Sequence, residues 1–310
     1  MSVSGRSSTP AHRAAVPSAS VTGAGSRAQR LAFAAAAAAA LLIGAAAPGV
    51  AAPAGERAAQ GEHYVALGDS YSSGPGIPQQ TDTVCGRSDR NYPSLVANAV
   101  GAAEFTDVTC AGADTTHMAG SQESVPPQLD ALGPDTTLVT LGVGGNDLDL
   151  TGVITRCVLV AYLSPYGSPC KHSFTLFGTD EIGSRINSTA PKIDAVLNEI
   201  HARSPQARVL LVGYPSLLPD DGTACRQTIP LAVGDFPWVR DKEKYLNTML
   251  AQRAGADYVD TYGPSVGHDA CKAAGDRWIE PADSAEGAGF HPNATGHRSM
   301  ADAVLATLND

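Results

Sequence analysis

Residues 64–70 read Tyr-Val-Ala-Leu-Gly-Asp-Ser, a short apolar run that ends directly in a polar turn. A run of this length, closed by a turn signal, predicts a buried β-strand over 64–67. Four similar runs follow along the chain and are predicted to be strands over 106–109, 138–143, 209–214 and 258–260. Because helical patterns separate them, the sequence predicts an α/β fold with a central parallel sheet covered on both faces.

The clearest helical pattern lies at 182–200, where Ile182, Ile186 and Ile193 recur at helical spacing. Pro191 is expected to kink this helix or to begin a second one. Two more helices are predicted at 238–254 and 296–308, the last capped by Asn293 or Thr295.

Two long segments between these elements are expected to form substrate-binding walls. Residues 150–178 and 215–237 look rich in loops, and both contain cysteines and apolar side chains. Their apolar residues favour an acyl chain over a bare acetyl group, although the same residues could belong to the core. They are Phe174, Leu176, Phe177, Leu217, Leu218 and Phe236, with Trp238 just beyond.

The overall charge excludes one class of function. The 310 residues include 31 acidic and 21 basic side chains, for a formal net charge of −10. A nucleic-acid-binding protein normally presents a basic stripe, so we predict no nucleic-acid partner. A single strand-and-helix pattern without repeats predicts one domain over 61–310.

The first 54 residues resemble an export signal. Arg27 and Arg30 precede an apolar run over 31–47, and small residues follow a Pro-Gly pair, which predicts a signal peptide cleaved near 52–54. The alternative is a membrane anchor, but the run is alanine-dominated and at the short limit for spanning a bilayer. We therefore expect a secreted, extracellular protein. The segment contains no consecutive arginine pair, which favours general secretion over the twin-arginine route.

All six cysteines lie after this segment, and an even number behind an export signal indicates disulfides. Six thiols allow 15 pairings, and the sequence does not choose among them. Pairing of neighbours along the chain is the economical hypothesis: Cys85 with Cys110, Cys157 with Cys170, and Cys225 with Cys271. No C-x-x-C motif occurs, so a zinc site is not expected.

Ser70 is the first candidate for chemistry, because it follows a parallel strand at the sheet edge where α/β folds bind ligands. An isolated Gly-Asp-Ser would more often be a helix cap. Three further short blocks favour a functional role for Ser70 over a helix cap. They lie at 110–114 (Cys-Ala-Gly-Ala-Asp), 142–147 (Gly-Val-Gly-Gly-Asn-Asp) and 290–293 (Phe-His-Pro-Asn).

These four blocks, in this order, resemble the GDSL, or SGNH, hydrolase family, over essentially the whole chain after the export signal. The family's serine, glycine, asparagine and histidine correspond here to Ser70, Gly112, Asn146 and His291. The resemblance implies a three-layer α/β/α sandwich of flavodoxin-like type, in agreement with the strand and helix pattern. It also implies ester hydrolysis. The sequence has no Walker loop, no dinucleotide glycine fingerprint after a strand and no metal-ligand cluster, so we expect no cofactor or metal.

The resemblance assigns a role to each residue. Ser70 is expected to be the nucleophile, which needs a base to take its proton. His291 is the base, with an ordinary pKa near ~6.5. The backbone N–H groups of Ser70 and Gly112 and the side-chain amide of Asn146 are expected to form the oxyanion hole.

One position departs from the family pattern. Most relatives carry an aspartate three residues before the histidine, where this chain has Ala288. A subgroup of secreted bacterial esterases with similar disulfides uses a main-chain carbonyl instead, which implies that the Ala288 carbonyl orients His291 in a Ser-His dyad. Asp283 and Glu286 are the alternatives.

We therefore expect a secreted esterase or lipase that forms an acyl-serine intermediate on medium or long acyl esters or phospholipids, as a monomer with transient contact to a lipid interface. A carbohydrate acetyl esterase and a catalytically silent envelope-binding module are the alternatives. Ser265 lies in a Gly-x-Ser-x-Gly sequence, the motif that carries the nucleophile of α/β-hydrolases. We do not expect it to be the nucleophile here, because too little chain follows it to supply the acid and the histidine in the order of that fold.

Overall fold

The computed structural model describes residues 61–284 and 287–310. The predicted export signal over 1–54 lies outside the described residues, and so does Glu286. The strands are β1 (His63–Gly68), β2 (Gln80–Asp82), β3 (Arg87–Ser88), β4 (Glu104–Asp107), β5 (Leu138–Gly142), β6 (Arg208–Val212) and β7 (Asp257–Val259). The α-helices are α1 (Ser70–Ser73), α2 (Tyr92–Val100), α3 (Thr116–Ala119), α4 (Leu150–Leu163), α5 (Pro169–Phe174), α6 (Glu181–Arg203), α7 (Phe236–Ala251), α8 (Tyr262–Ser265) and α9 (Ala294–Asn309).

Five strands form a parallel sheet in the order β4-β1-β5-β6-β7, and β2 and β3 form a small antiparallel hairpin. Because these strands are parallel, the loops after β1, β4 and β5 all lie at the same edge of the sheet. The chain goes from β1 to β4 on one side and then to β5 on the other, so these loops diverge at β1. Gly68 at the end of β1 is in register with Gly142 at the end of β5. This arrangement creates the crevice at the carboxyl ends of the strands where α/β folds bind ligands.

Side chains of the central strands alternate between two apolar layers. On β1, Val65 and Leu67 pack into the layer that includes α6 and α7, whereas Tyr64 and Ala66 pack into the layer that includes α2 and α9. Strands buried on both faces need apolar residues at every position, which explains the continuous runs in the sequence. The predicted three-layer α/β/α sandwich is confirmed.

The five predicted strands of the main sheet all occur, with ends displaced by up to two residues. Pro191 does not begin a second helix, because α6 continues through it from Glu181 to Arg203. Asn293 caps α9, as one of the two predictions had it, by accepting hydrogen bonds from the N–H groups of Thr295 and Gly296 at 3.0 Å each.

The expectation that 150–178 is rich in loops is wrong. This segment is mostly helical, comprising α4 and α5. Apolar residues on more than one side of α4 obscure the periodicity that marks an amphipathic helix. The segment 215–237 is irregular, as expected, up to a short 3₁₀ turn at Val233–Asp235.

Three disulfides join neighbouring cysteines along the chain, in the pairing hypothesised from the sequence. They are Cys85–Cys110, Cys157–Cys170 and Cys225–Cys271. The first fastens the β2–β3 hairpin beside the loop after β4, and the second joins α4 to α5. Within the ranges that the structure describes, no helix is both long and apolar enough to cross a membrane.

Candidate active site

The turn after β1 presents Ser70 at the sheet edge. The Asp69 carboxylate caps α1 by accepting from the Tyr71 N–H at 2.9 Å, and the Asp69 N–H donates to the Gly142 carbonyl at 2.9 Å. A Cβ on Gly68 would lie 2.7 Å from that same carbonyl oxygen, so only glycine lets the strands close up here. Ser70 is thereby held on a rigid turn, with 8% of its surface exposed.

His291 meets Ser70 across 221 positions of sequence. The Ser70 Oγ lies 2.8 Å from His291 Nε2, and the Gly289 carbonyl oxygen lies 2.7 Å from Nδ1. A carbonyl can only accept, so Nδ1 carries the ring proton and Nε2 offers its lone pair to the Ser70 hydroxyl. This is the tautomer that a general base needs.

The carbonyl that orients His291 belongs to Gly289, and the assignment to Ala288 is wrong. The Ala288 carbonyl instead accepts from the backbone N–H of His291 at 3.2 Å. Phe290 adopts a left-handed conformation with φ 62°, which reverses the chain and turns the Gly289 carbonyl toward the ring. A backbone carbonyl does orient His291, but it belongs to the residue two positions before the histidine and not three.

The two carboxylates considered as alternatives differ in what the structure says of them. Asp283 is exposed, and the hydrogen bonds found for His291 in the described ranges do not include it. Glu286 lies outside the described residues.

Burial lowers the pKa of His291, and the hydrogen bond to Gly289 raises it. Burial has the larger effect, so the pKa of His291 lies below its ordinary value.

Two further groups hold the loop that carries His291. The Tyr71 hydroxyl donates to the Phe290 carbonyl at 2.6 Å, and its ring packs against the imidazole with centroids 5.2 Å apart. Glu280 is fully buried and accepts hydrogen bonds from Asn293 Nδ2 at 2.8 Å and Ser284 Oγ at 2.6 Å. Burial opposes its ionisation, but these bonds and that of Arg277 keep the pKa of Glu280 below its usual value.

The three expected oxyanion donors come from three loops at the same sheet edge. The ladder between β4 and β1 continues as the Cys110 N–H donates to the Gly68 carbonyl at 3.0 Å, which places Gly112 in the loop beside the Ser70 turn. The Asn146 amide donates one hydrogen to the Ala113 carbonyl at 2.8 Å, leaving its second hydrogen for a ligand. Among the hydrogen bonds of the described residues, none uses the N–H of Ser70 or Gly112.

A buried polar network fixes these loops relative to one another. Tyr214 at the end of β6 donates its hydroxyl proton to Asp69 at 2.6 Å and accepts from the Gly145 N–H at 2.8 Å. Asp147 accepts from the Thr115 N–H at 2.9 Å, which ties the Asn146 loop to the loop after β4. Burial raises the pKa of Asp69 to about 7, partly offset by the hydrogen bonds of Tyr214 and Tyr71. Asp69 and Asp147 thus hold the loops at the strand ends.

A largely apolar cavity of about 400 Å³ opens beside Ser70, Asn146 and His291. Its walls come mainly from α4, from the segment between β6 and α7, and from α7 itself. Leu148 before α4, Ile182 of α6 and Phe290 beside His291 complete the lining. The other apolar residues that line it are Leu150, Val153, Ile154, Val158, Leu217, Leu218, Ile229, Leu231, Trp238, Val239 and Leu246. A cavity of this volume, with a few polar groups at one end, has the size and lining of a small-molecule site.

The apolar residues singled out from the sequence divide into three groups. Leu217, Leu218 and Trp238 line the cavity. Phe174 and Phe236 are buried core, and Phe174 stacks on Trp238 with ring centroids 6.0 Å apart. Leu176 and Phe177 line no part of the cavity and are exposed.

Several residues of the site were missed by sequence reasoning. Tyr71 lies in the same motif block as Ser70, and Tyr214 is the last residue of the strand predicted over 209–214, so their positions at strand ends were the only available signal. Glu243 also lines the cavity, where it accepts from the Leu217 N–H at 3.0 Å. Burial raises the pKa of Glu243 to about 8, which favours its protonated form at neutral pH.

Ser265, in the Gly-x-Ser-x-Gly sequence, has a structural role. Ser265 is 1% exposed; its hydroxyl donates to the Tyr262 carbonyl at 2.9 Å and accepts from the Ser216 N–H at 2.7 Å. His297, six residues after His291, is buried and accepts from the Tyr92 N–H at 3.1 Å. Both residues stabilise the fold.

Three side chains of types that can ligate a metal lie close together at the opposite edge of the sheet. His63 Nδ1 lies 3.7 Å from a Glu104 oxygen and 3.6 Å from an Asp135 oxygen, at the starts of neighbouring strands. Both carboxylates are exposed, which is ordinary for surface ion pairs. This cluster lies outside the apolar cavity, and we assign it no part in the chemistry.

Known proteins resemble this chain in sequence and in fold. Residues 66–299 match the model of the GDSL-like lipase/acylhydrolase family. Lipase 2 of Streptomyces coelicolor (strain ATCC BAA-471 / A3(2) / M145) is 43% identical over 255 residues, covering 79% of this chain and 85% of that protein.

Two solved structures resemble the fold over 80% of this chain and 98% of their own. Phospholipase A1 from Streptomyces albidoflavus NA297 has 29% identity and a TM-score of 0.62. An extracellular lipase from Streptomyces rimosus has 27% identity and a TM-score of 0.60.

Proposed function

The chain belongs to the GDSL-like lipase/acylhydrolase family and is a carboxylic-ester hydrolase, and we propose that it acts through an acyl-serine intermediate on Ser70. The observation that carries this proposal is the chain of contacts from Ser70 Oγ to His291 Nε2 at 2.8 Å and from Nδ1 to the Gly289 carbonyl at 2.7 Å. It joins a nucleophile, a base and a group that fixes the base.

In the first half of the reaction, Ser70 Oγ attacks the ester carbonyl while its proton passes to His291 Nε2. The imidazolium that forms is stabilised by the Gly289 carbonyl, whose oxygen carries a partial negative charge. Collapse of the tetrahedral intermediate breaks the bond to the alcohol, which leaves with the proton from Nε2. In the second half, water gives a proton to Nε2 as it attacks the acyl-serine carbonyl. The second tetrahedral intermediate then collapses: the bond to Ser70 Oγ breaks, Oγ takes the proton back from Nε2, and the carboxylic acid leaves.

The tetrahedral oxygen needs donors that are already in place. We assign this role to the N–H groups of Ser70 and Gly112 and to the second amide hydrogen of Asn146. The contact of Asn146 with Ala113 supports the assignment, because it fixes the amide plane before substrate arrives. Preorganised donors in a site shielded from water stabilise the transition state more than mobile ones do.

We assign the acyl chain to the apolar cavity, which favours medium or long acyl esters, or phospholipids, over acetate esters. Lipase and phospholipase A1 are the names of similar proteins, and the cavity of about 400 Å³ beside Ser70 is this chain's own support. Only the acyl half of the substrate would enter this cavity, so a range of alcohols can be accepted on the open side.

A chain-length series tests this assignment. Ile154 of α4 lines the cavity, so Ile154→Phe should shorten it and lower kcat/KM for a twelve-carbon acyl ester by about 10-fold or more, with little effect on the acetate ester. The matched control is Val84→Phe on the β2–β3 hairpin, where the parent side chain is 72% exposed. Preference of the parent protein for acetylated carbohydrate over longer esters would instead identify an acetyl esterase.

We further propose that residues 1–54 are an export signal and that the protein works outside the cell as a monomer. Three disulfides in the described domain support this, because such bonds persist in oxidising compartments. One of the similar structures is named an extracellular lipase. N-terminal sequencing of the protein from culture supernatant should give a start near residue 55, and retention of residues 1–54 in a membrane fraction would contradict the proposal.

A further inference from the structure

We propose that the outward side of α4 is a docking surface for anionic phospholipid membranes. The surface comprises Leu159, Tyr162 and Leu163 of α4 with Tyr166 just after it, and is named the α4 outer face. This inference rests on the proposed function, because it concerns how a lipid reaches that same site.

The α4 outer face is exposed and apolar. The exposed fractions are 65% for Leu159, 78% for Tyr162, 85% for Leu163 and 83% for Tyr166. The spacing of three and four residues places Tyr162 and Leu163 on the same side of the helix as Leu159, and Tyr166 follows three residues after the helix ends at Leu163. Large apolar side chains scattered singly are common on protein surfaces, but several exposed ones within eight residues favour an interaction site.

The opposite side of the same helix lines the acyl cavity. Leu150, Val153, Ile154 and Val158 all face that space. Arg156 is the only charged residue among the 14 residues of α4, so the helix is apolar on both sides. A helix that is apolar all round is normally buried or in contact with lipid. In the described part of the chain, protein covers only the inner side of α4.

The charge of the region matches a negatively charged lipid surface. Residues 150–178 contain no aspartate or glutamate, although the chain has a net charge of −10. The same stretch carries Arg156 and Lys171, both of them exposed. An acidic protein that bears a basic and apolar area can approach anionic lipid through that area alone.

The two tyrosines suit the headgroup region, because a phenol ring is apolar along its body and polar at its tip. An α-helix is about 10 Å across with its side chains. A membrane in contact with the α4 outer face would therefore be separated from the cavity by the width of this one helix. The disulfide Cys157–Cys170 joins α4 to α5 and so helps to keep α4 in place as a wall of the cavity when its outer side contacts lipid.

The experiment measures binding and chemistry separately. Ser70→Ala protein, which leaves lipid intact, is sedimented with vesicles of phosphatidylcholine alone or of phosphatidylcholine with phosphatidylglycerol. We expect stronger binding to the anionic vesicles and at least about a 10-fold loss of binding when Leu159→Ser and Leu163→Ser are added. Lys171→Glu should weaken binding to the anionic vesicles only.

The matched control is Val84→Ser, which removes an apolar side chain 72% exposed on the β2–β3 hairpin, and it should bind as its parent does. With Ser70 intact, the Leu159→Ser, Leu163→Ser variant should hydrolyse a soluble short-chain ester at the parental rate, which shows that it is folded. Leu163→Ser alone serves as a milder second variant and should show an intermediate loss of vesicle binding.

Equal vesicle binding by the parent and by both α4 variants would overturn the proposal. So would a dimer of the parent protein in sedimentation that Leu163→Ser dissociates without lipid, because a second copy would then cover the α4 outer face. Failure of the parent to hydrolyse any ester, with vesicle binding intact, would contradict the proposed function and leave the docking surface standing.

Discussion

The Gly289 carbonyl oxygen lies 2.7 Å from Nδ1 of His291, two residues further along the same loop. A buried carboxylate usually occupies this position in serine hydrolases and stabilises the imidazolium by full charge. Here a neutral backbone dipole fixes the ring and its tautomer. The loop geometry, with Phe290 at φ 62°, therefore replaces a side chain that the sequence lacks.

Removing the nearby acids tests this relationship. Asp283→Ala should leave kcat within about twofold of the parent value, because Asp283 is exposed and not bonded to the ring, whereas His291→Ala should lower kcat by about 10³-fold or more. Glu286→Ala is measured in the same way. A loss at either acid as deep as the loss at His291 would mean that a carboxylate completes a triad.

Tyr71 acts as a positioning residue through the Phe290 carbonyl. Tyr71→Phe removes a hydrogen bond of 2.6 Å and should lower kcat by about 3- to 10-fold with little change in KM, since the loop that carries His291 loses one restraint. Tyr245→Phe, on the surface of α7, is the matched control and should have the parental kcat. An unchanged kcat for Tyr71→Phe would show that the loop needs no such support.

The pH dependence of hydrolysis follows from the burial of His291. The base must be neutral to accept the proton of Ser70, and burial lowers the pKa of its ring below 6.5, so the neutral form persists into mildly acidic solution. With a soluble ester, kcat/KM measured from about pH 4 to about pH 9 should fall on acidification with a midpoint below 6.5. A midpoint above that value would mean that the Gly289 hydrogen bond, which raises the pKa, outweighs burial.

Loss of the Asn146 amide should be nearly as costly as loss of a catalytic residue. Asn146→Ala removes one oxyanion donor and should lower kcat by about 10²–10³-fold, with KM changed far less, because the donor acts mainly in the transition state. Asn187→Ala on the exposed side of α6 is the control. A fall in binding alone would assign Asn146 to substrate recognition.

The fold could be predicted from sequence because its strands are buried on both sides. Runs such as 138–143 are apolar at nearly every position, and a parallel sheet between two helical layers accommodates five of them. The helix α4 could not be found in the same way. Its inner side faces the cavity and its outer side faces solvent, yet both are apolar, so no amphipathic period remains to be read.

The site shows a similar division. Ser70 and His291 could be placed from their motif blocks, since strand ends bring such blocks to one edge. The choice between the carbonyls of Ala288 and Gly289 could not be made, because it depends on the left-handed conformation of Phe290, and phenylalanine gives no signal for one. Contacts across the loops, such as Tyr214 with Asp69, also required the structure.

The role of Ser70 as nucleophile can be tested by covalent trapping in the purified protein. Reaction with a fluorophosphonate, followed by mass spectrometry of the peptides, should place one adduct on Ser70, and Ser265→Ala should be labelled like the parent. Labelling of Ser70→Ala to the same extent as the parent would show that another residue forms the acyl intermediate, and the mechanism built on Ser70 and His291 would be wrong.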